Sequence, residues 1–154
     1  MFTGRFSSKL VDDEKYTIIS IANTLPKFNL QYKVSLQYQV IAPDWKTWNA
    51  RANQRLFDLY YRMQLETIGF DTIFPYLQSL RKCGKPLLLL CHEDLRNKRN
   101  FCHRRLFAKW WEGYTGIEVP ELDDIETQSS YRFQSTKQPL FDLLQEDIVS
   151  QVIS

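Results

Sequence analysis

The chain has 154 residues, 44% hydrophobic and 25% charged, with a formal net charge of +2 and a pI near 8.4. That suits one globular domain of ordinary size and excludes a disordered chain or a strongly basic nucleic-acid binder, for which a domain pI above about 9 is expected. Its longest apolar run is far short of the ~20 residues that span a bilayer, and the first residues lack an apolar signal core, so a cytoplasmic protein without a membrane partner is expected.

In chain order, Phe2 to Phe6 reads as a short edge strand and Val11 to Lys15 as a charged connection. Tyr16 to Ala22, YTIISIA, is rich in aromatic and β-branched residues and predicts a buried strand. Pro26 then breaks the chain. Leu30 to Ile41 alternates imperfectly, leaving strand and short helix both open, and Pro43 ends it. Asp44 is placed to cap a short segment bearing Trp45 and Trp48. Asn49 to Thr67 reads as a helix with Leu56, Phe57, Tyr60, Met63 and Leu65 inward, and Tyr61 and Arg62 off that face. Another helix is expected from a cap near Asp71 to Lys82, with Pro75 tolerable only near its first turn and Gly84 as the stop.

The rest of the chain is organised around Lys85 to Pro120, KPLLLLCHEDLRNKRNFCHRRLFAKWWEGYTGIEVP. Pro86 to Cys91 is an uninterrupted apolar run and predicts a strand buried on both faces. After a polar loop, Leu106, Phe107, Trp110, Trp111 and Tyr114 fall on one face of a helix that starts near Cys102 and ends before Gly116. This strand, loop and helix gather Cys91, His92, Glu93, Cys102, His103 and Arg104 at one end of a sheet, where open α/β folds place ligands. Gly116 to Val119 reads as a short last strand closed by Pro120. From Glu121 to Gln138 the chain is polar. Pro139 opens a final helix with Leu140, Leu144, Ile148 and Val152 on one stripe. The expected fold is a single α/β domain over 1–120, three-layered, with a mostly parallel sheet and helices on both faces. Residues 121–154 form a linker and a helix suited to a homodimer contact.

The motifs LLLLCHE, Leu87 to Glu93, and CHR, Cys102 to Arg104, followed by FAKWW, resemble the family called domain of unknown function 488. The resemblance extends more weakly upstream through ISIANTLPKF and covers roughly Met1 to Pro120. It implies a Rossmann-like α/β sandwich, a bacterial or phage setting and a site at Cys91, Glu93, Cys102, His103 and Arg104, with no settled reaction.

Several chemistries suit those residues. A helix N-terminus with His103, Arg104 and Arg105 in its first turn could hold a phosphate or nucleotide-like ligand. Such a ligand is the partner expected here, with a part in sequestering or processing a nucleotide signal. The plainer alternative is an ion pair of Glu93 with Arg104 that merely pins the loop. Between Cys91 and Arg105, five basic side chains oppose two acidic ones, a net +3. That is too short a basic surface for long nucleic acid. A thiol nucleophile at Cys102 or Cys91 is a second possibility, although Arg96 follows Cys91 too closely for a phosphatase Cys-x5-Arg loop. Zinc is a third. Cys91, His92, Cys102 and His103 come as two adjacent pairs, unlike the usual ligand spacing, so no metal or cofactor is expected. Three cysteines, Cys83, Cys91 and Cys102, point to thiols rather than disulfides. Trp110 and Trp111 read as core, and Trp45 and Trp48 as the rim of a pocket. The alternative function is a non-enzymatic interaction protein working through its last helix.

Overall fold

The computed structural model describes residues 1–81 and 84–125. Four strands, β1 (Phe2–Arg5), β2 (Thr17–Ser20), β3 (Leu36–Gln37) and β4 (Leu87–Cys91), form one sheet in the order β1-β4-β2-β3. Every pairing is parallel, with Leu89 of β4 opposite Thr3 on one side and Ile19 on the other. The two strongest apolar runs thus occupy the two inner positions. All five residues of β4 are buried, the pattern expected when neither face of a strand meets water.

Among the described residues, α1 (Trp45–Asn49), α2 (Gln54–Ile68) and α3 (Phe70–Ser79) lie between β3 and β4, and α4 (His103–Thr115) follows β4. A 3-10 turn, Gln39–Ile41, precedes them, so the ambiguous stretch from Leu30 to Ile41 resolves into a two-residue edge strand and that turn. Asp44 caps α1 by accepting from the Thr47 amide, and Asn53 caps α2 by accepting from that of Leu56. Gly69, at φ 89°, separates α2 from α3 in a conformation that suits glycine. Gly116, at φ 68°, ends α4 as the sequence predicts.

Several expected details are corrected. The buried stripe of α2 is Phe57, Tyr61 and Leu65, whereas Leu56 and Met63 are exposed. Tyr61 can turn inward because its hydroxyl donates to the Ile41 carbonyl at 2.7 Å, which satisfies the polar end of an otherwise apolar ring. Pro75 lies well inside α3 rather than in its first turn, and the helix ends at Ser79 without reaching Gly84. The final strand expected at 116–119 is absent. Instead Thr3 donates to the Pro120 carbonyl and bridges Glu121 in parallel at the outer edge of β1, while Leu122 is buried.

The core has two parts. Ile19, Leu87 and Leu89 face the helices, packing with Phe57, Leu65, Ile73, Leu77, Phe107 and Trp111. Ile18, Leu88 and Leu90 face the other way, under Phe6 and Leu122, with Leu10, Tyr32 and Val34 half-buried around them. Helices on both faces were expected; among the described residues α2, α3 and α4 share one face, and connecting segments cover the other. Cys83, the final helix with its stripe Leu140, Leu144, Ile148 and Val152, and the homodimer contact built on it lie outside the described residues. No described helix is long and apolar enough to cross a membrane.

Candidate functional site

The connection leaving β2 runs toward β3 across the face covered by Tyr32 and Val34. The connection leaving β4 runs through α4 on the opposite face and returns beyond β1 at Glu121. The chain therefore diverges between the carboxyl ends of β2 and β4. In parallel α/β sheets such a divergence opens a crevice. Here it holds a cavity of about 600 Å³.

Its floor is made by the residue that ends β4 and those that open α4. Cys91, Cys102 and His103 are all buried and line the cavity. The His103 Nε2 lies 2.7 Å from the Ile21 carbonyl, just past β2. A carbonyl can only accept, so Nε2 carries the proton and Nδ1 faces the sulfurs. Nδ1 is 3.6 Å from Cys102 Sγ and 3.8 Å from Cys91 Sγ. Cys102 is the N-cap of α4, with extended dihedrals of φ −148° and ψ 144°, and its side chain makes no capping bond. That change of backbone direction lets two consecutive residues present their side chains to one point. Neither thiol is in a disulfide.

Glu93 Oε2 is 3.2 Å from Cys91 Sγ, where the thiol donates and the carboxylate accepts. Burial, with the charge of Cys102 behind it, pushes the Glu93 carboxyl above its ordinary range. Burial also opposes charge on Cys102, but the hydrogen bond from Cys91 and the neighbouring His103 and Arg104 outweigh it, holding this thiol well below the usual value. Cys91 moves the other way. Its hydrogen bond to Cys102 and its own burial push it well above the usual value.

The walls are aromatic. Trp45, 81% exposed, and Trp48, 45% exposed, stand at the rim as expected, and Arg51 lies over the Trp48 ring at 4.8 Å. Phe57 and Phe101 form the inner wall, edge to face at 5.2 Å. Trp110 and Trp111 are in the core. His92 also lines the cavity and binds the Thr24 carbonyl through Nε2 at 2.8 Å, tying the loops after β2 and β4 together.

Of the five residues expected at the site, Cys91, Glu93, Cys102 and His103 converge on the cavity. Arg104 does not. Its guanidinium is fully buried against Glu121, with contacts of 2.7, 3.0 and 3.2 Å, so neither a phosphate nor Glu93 receives it. Arg96, from the basic loop, is held by Asp94 at 2.7 and 2.9 Å. Pairing with Glu121 takes Arg104 out of the local excess of cations that favoured an anion, whereas Asp94, the partner of Arg96, was already counted in that balance. Sequence reasoning missed Arg51 and Phe57 as lining residues, which come from separate segments and carry no motif.

No family model, curated protein or solved structure matches this chain.

Proposed function

We propose that the protein binds a small planar molecule of nucleotide type in the cavity between the ends of β2 and β4. The base lies against Trp45 and Trp48 with its polar edge toward Glu93 and His103, and its phosphate end stays at the rim. The observation that carries this reading is the pair of solvent-exposed tryptophans at the mouth of a cavity placed where the chain diverges. Large aromatic rings in water lose nothing by stacking on a ligand, and every base offers a flat face to meet them. Arg51 is the guanidinium that lines the cavity and takes the phosphate role first assigned to Arg104.

The all-parallel sheet with its crevice supports a Rossmann-like reading of the fold, and the resemblance to the domain of unknown function 488 family points the same way. In a bacterial or phage cytoplasm, such a site would sequester or process a nucleotide signal.

Titration of the full-length protein with a panel of nucleosides and mononucleotides, read by tryptophan quenching and calorimetry, tests the proposal. At least one member should bind. Stacking contributes about 1–3 kcal/mol per base, so Trp45→Ala should weaken that ligand about fivefold or more. Arg51→Ala should weaken nucleotides but not their nucleosides. A panel without a hit, or a hit indifferent to Trp45→Ala, overturns the reading.

A cysteine-dependent reaction is the second reading, favoured by the depressed Cys102 thiol beside His103 at the same floor. A thiol-directed alkylating reagent at neutral pH should then modify Cys102 faster than free cysteine. Equal or slower labelling removes that option.

A further inference from the structure

We infer that Cys91, Cys102 and His103 form a binding site for a single zinc ion, with one coordination position open to the cavity. The Cys91 Sγ, Cys102 Sγ and His103 Nδ1 atoms all lie within 4.8 Å of one another. A tetrahedral zinc about 2.3 Å from sulfur and about 2.0–2.1 Å from imidazole nitrogen sets those ligands about 3.6 Å apart. The two sulfur-to-nitrogen distances are 3.6 and 3.8 Å.

The imidazole is already committed to the required form. A metal-ligating histidine commonly donates its other N–H to a carbonyl or carboxylate, which fixes the tautomer and the ring plane. Here Nε2 donates to the Ile21 carbonyl at 2.7 Å, leaving Nδ1 as the free lone pair between the sulfurs. Two thiolates and one imidazole are soft donors that select zinc over magnesium or calcium. Three protein ligands facing a cavity, rather than four closing a shell, is the arrangement of sites where water or a ligand completes the coordination. Glu93, touching Cys91 and lining the same cavity, supplies a carboxylate beside the cluster.

Spacing alone argues against this site, because Cys102 and His103 are adjacent in sequence. The extended N-cap followed by the first helical residue removes that objection.

The inference rests on the ligand-site reading only for the role of the open position, so the test uses metal alone. Metal-free full-length protein, reduced and then given zinc followed by dialysis, should retain one equivalent by elemental analysis. Cobalt in its place should give sulfur-to-cobalt charge-transfer absorption of a two-thiolate site and the visible bands of tetrahedral coordination. These read the wild-type chain, so they stand even if a variant fails to fold. Cys102→Ser and His103→Ala should each lose at least tenfold in zinc affinity, while Cys83→Ser should retain it. Retention well below one equivalent, a cobalt spectrum without sulfur charge transfer, or loss of zinc in Cys83→Ser would each overturn the site. A protein that holds zinc but binds no nucleotide keeps this inference and rejects the earlier one; the reverse result does the opposite.

Discussion

Arg104 and Glu121 join the first turn of α4 to the segment beside β1. The guanidinium uses Nε and Nη2 to reach both carboxylate oxygens, and Thr3 donates to the same carboxylate at 2.8 Å. Both side chains are almost wholly removed from water, at 0% and 7% exposure. An arginine that the sequence offers as a ligand donor is instead a fastener, and it fixes the helix whose start carries Cys102 and His103.

Removing one partner leaves the other buried and unpaired, which costs about 3–5 kcal/mol. Glu121→Ala should therefore lower the stability measured by urea unfolding by about that amount. The double variant Arg104→Met with Glu121→Leu should recover most of the loss, because it also removes the desolvation penalty. A single variant costing less than about 1 kcal/mol would contradict the burial of this pair.

Leu89 sits at the centre of the sheet, fully buried between Thr3 and Ile19. Leu89→Ala removes its apolar contacts and leaves a void, at a cost of about 2–5 kcal/mol. The midpoint of thermal unfolding should drop by several degrees. A shift of only a degree or so would mean that the sheet closes over the gap.

Gly116 has no neighbour that a Cβ would strike, so a side chain there meets only the backbone penalty of its positive φ. Gly116→Ala should cost roughly 1–2 kcal/mol. An unchanged midpoint in denaturant would show that the end of α4 relaxes freely.

The Tyr32 hydroxyl donates to the Phe6 carbonyl at 2.8 Å, and burial pushes its ionisation from 10.0 up to about 12. The folded value is raised, so this phenol's contribution to stability is complete below pH 10 and is lost as the pH climbs through about 12. Tyr32→Phe should lose only the hydrogen bond at neutral pH, about 1 kcal/mol, and flatten the alkaline limb of stability against pH. Identical alkaline limbs for the two proteins would rule the effect out.

Cys91 and Cys102 are close, but both are free. Thiol titration of freshly purified, unreduced protein, unfolded in denaturant, should report three groups, one for each cysteine in the chain. Finding one group would reveal a bond between two of them.

The inner strands were legible because Leu87 to Cys91 offers no polar alternate to turn toward water, and Thr17 to Ser20 lies inside a run rich in aromatic and β-branched residues. The convergence of Cys91, Glu93, Cys102 and His103 on one cavity was legible for the same reason, since a buried strand followed through a loop by a helix brings its end beside the helix start. The face of α2 was not. Tyr61 is turned inward by a hydrogen bond to Ile41, a partner outside the helix that periodicity cannot see. The fate of Arg104 also depends on a long-range partner, Glu121. The convergence of Cys102 and His103 on one point depends on dihedrals at a helix cap, which ligand spacing does not encode.

The sheet order has a consequence for assembly on the ribosome. Among the described strands the first pairs with the last of the four, as Phe2 aligns with Leu88 and Arg5 with Cys91. While the chain emerges, β1 waits without a neighbour through the synthesis of β2, β3 and three helices. Closure over such a long stretch of sequence is slow, and an unpaired strand is exposed to other chains throughout. The brevity of β1, four residues with Gly4 near its middle, limits what it can template in that interval.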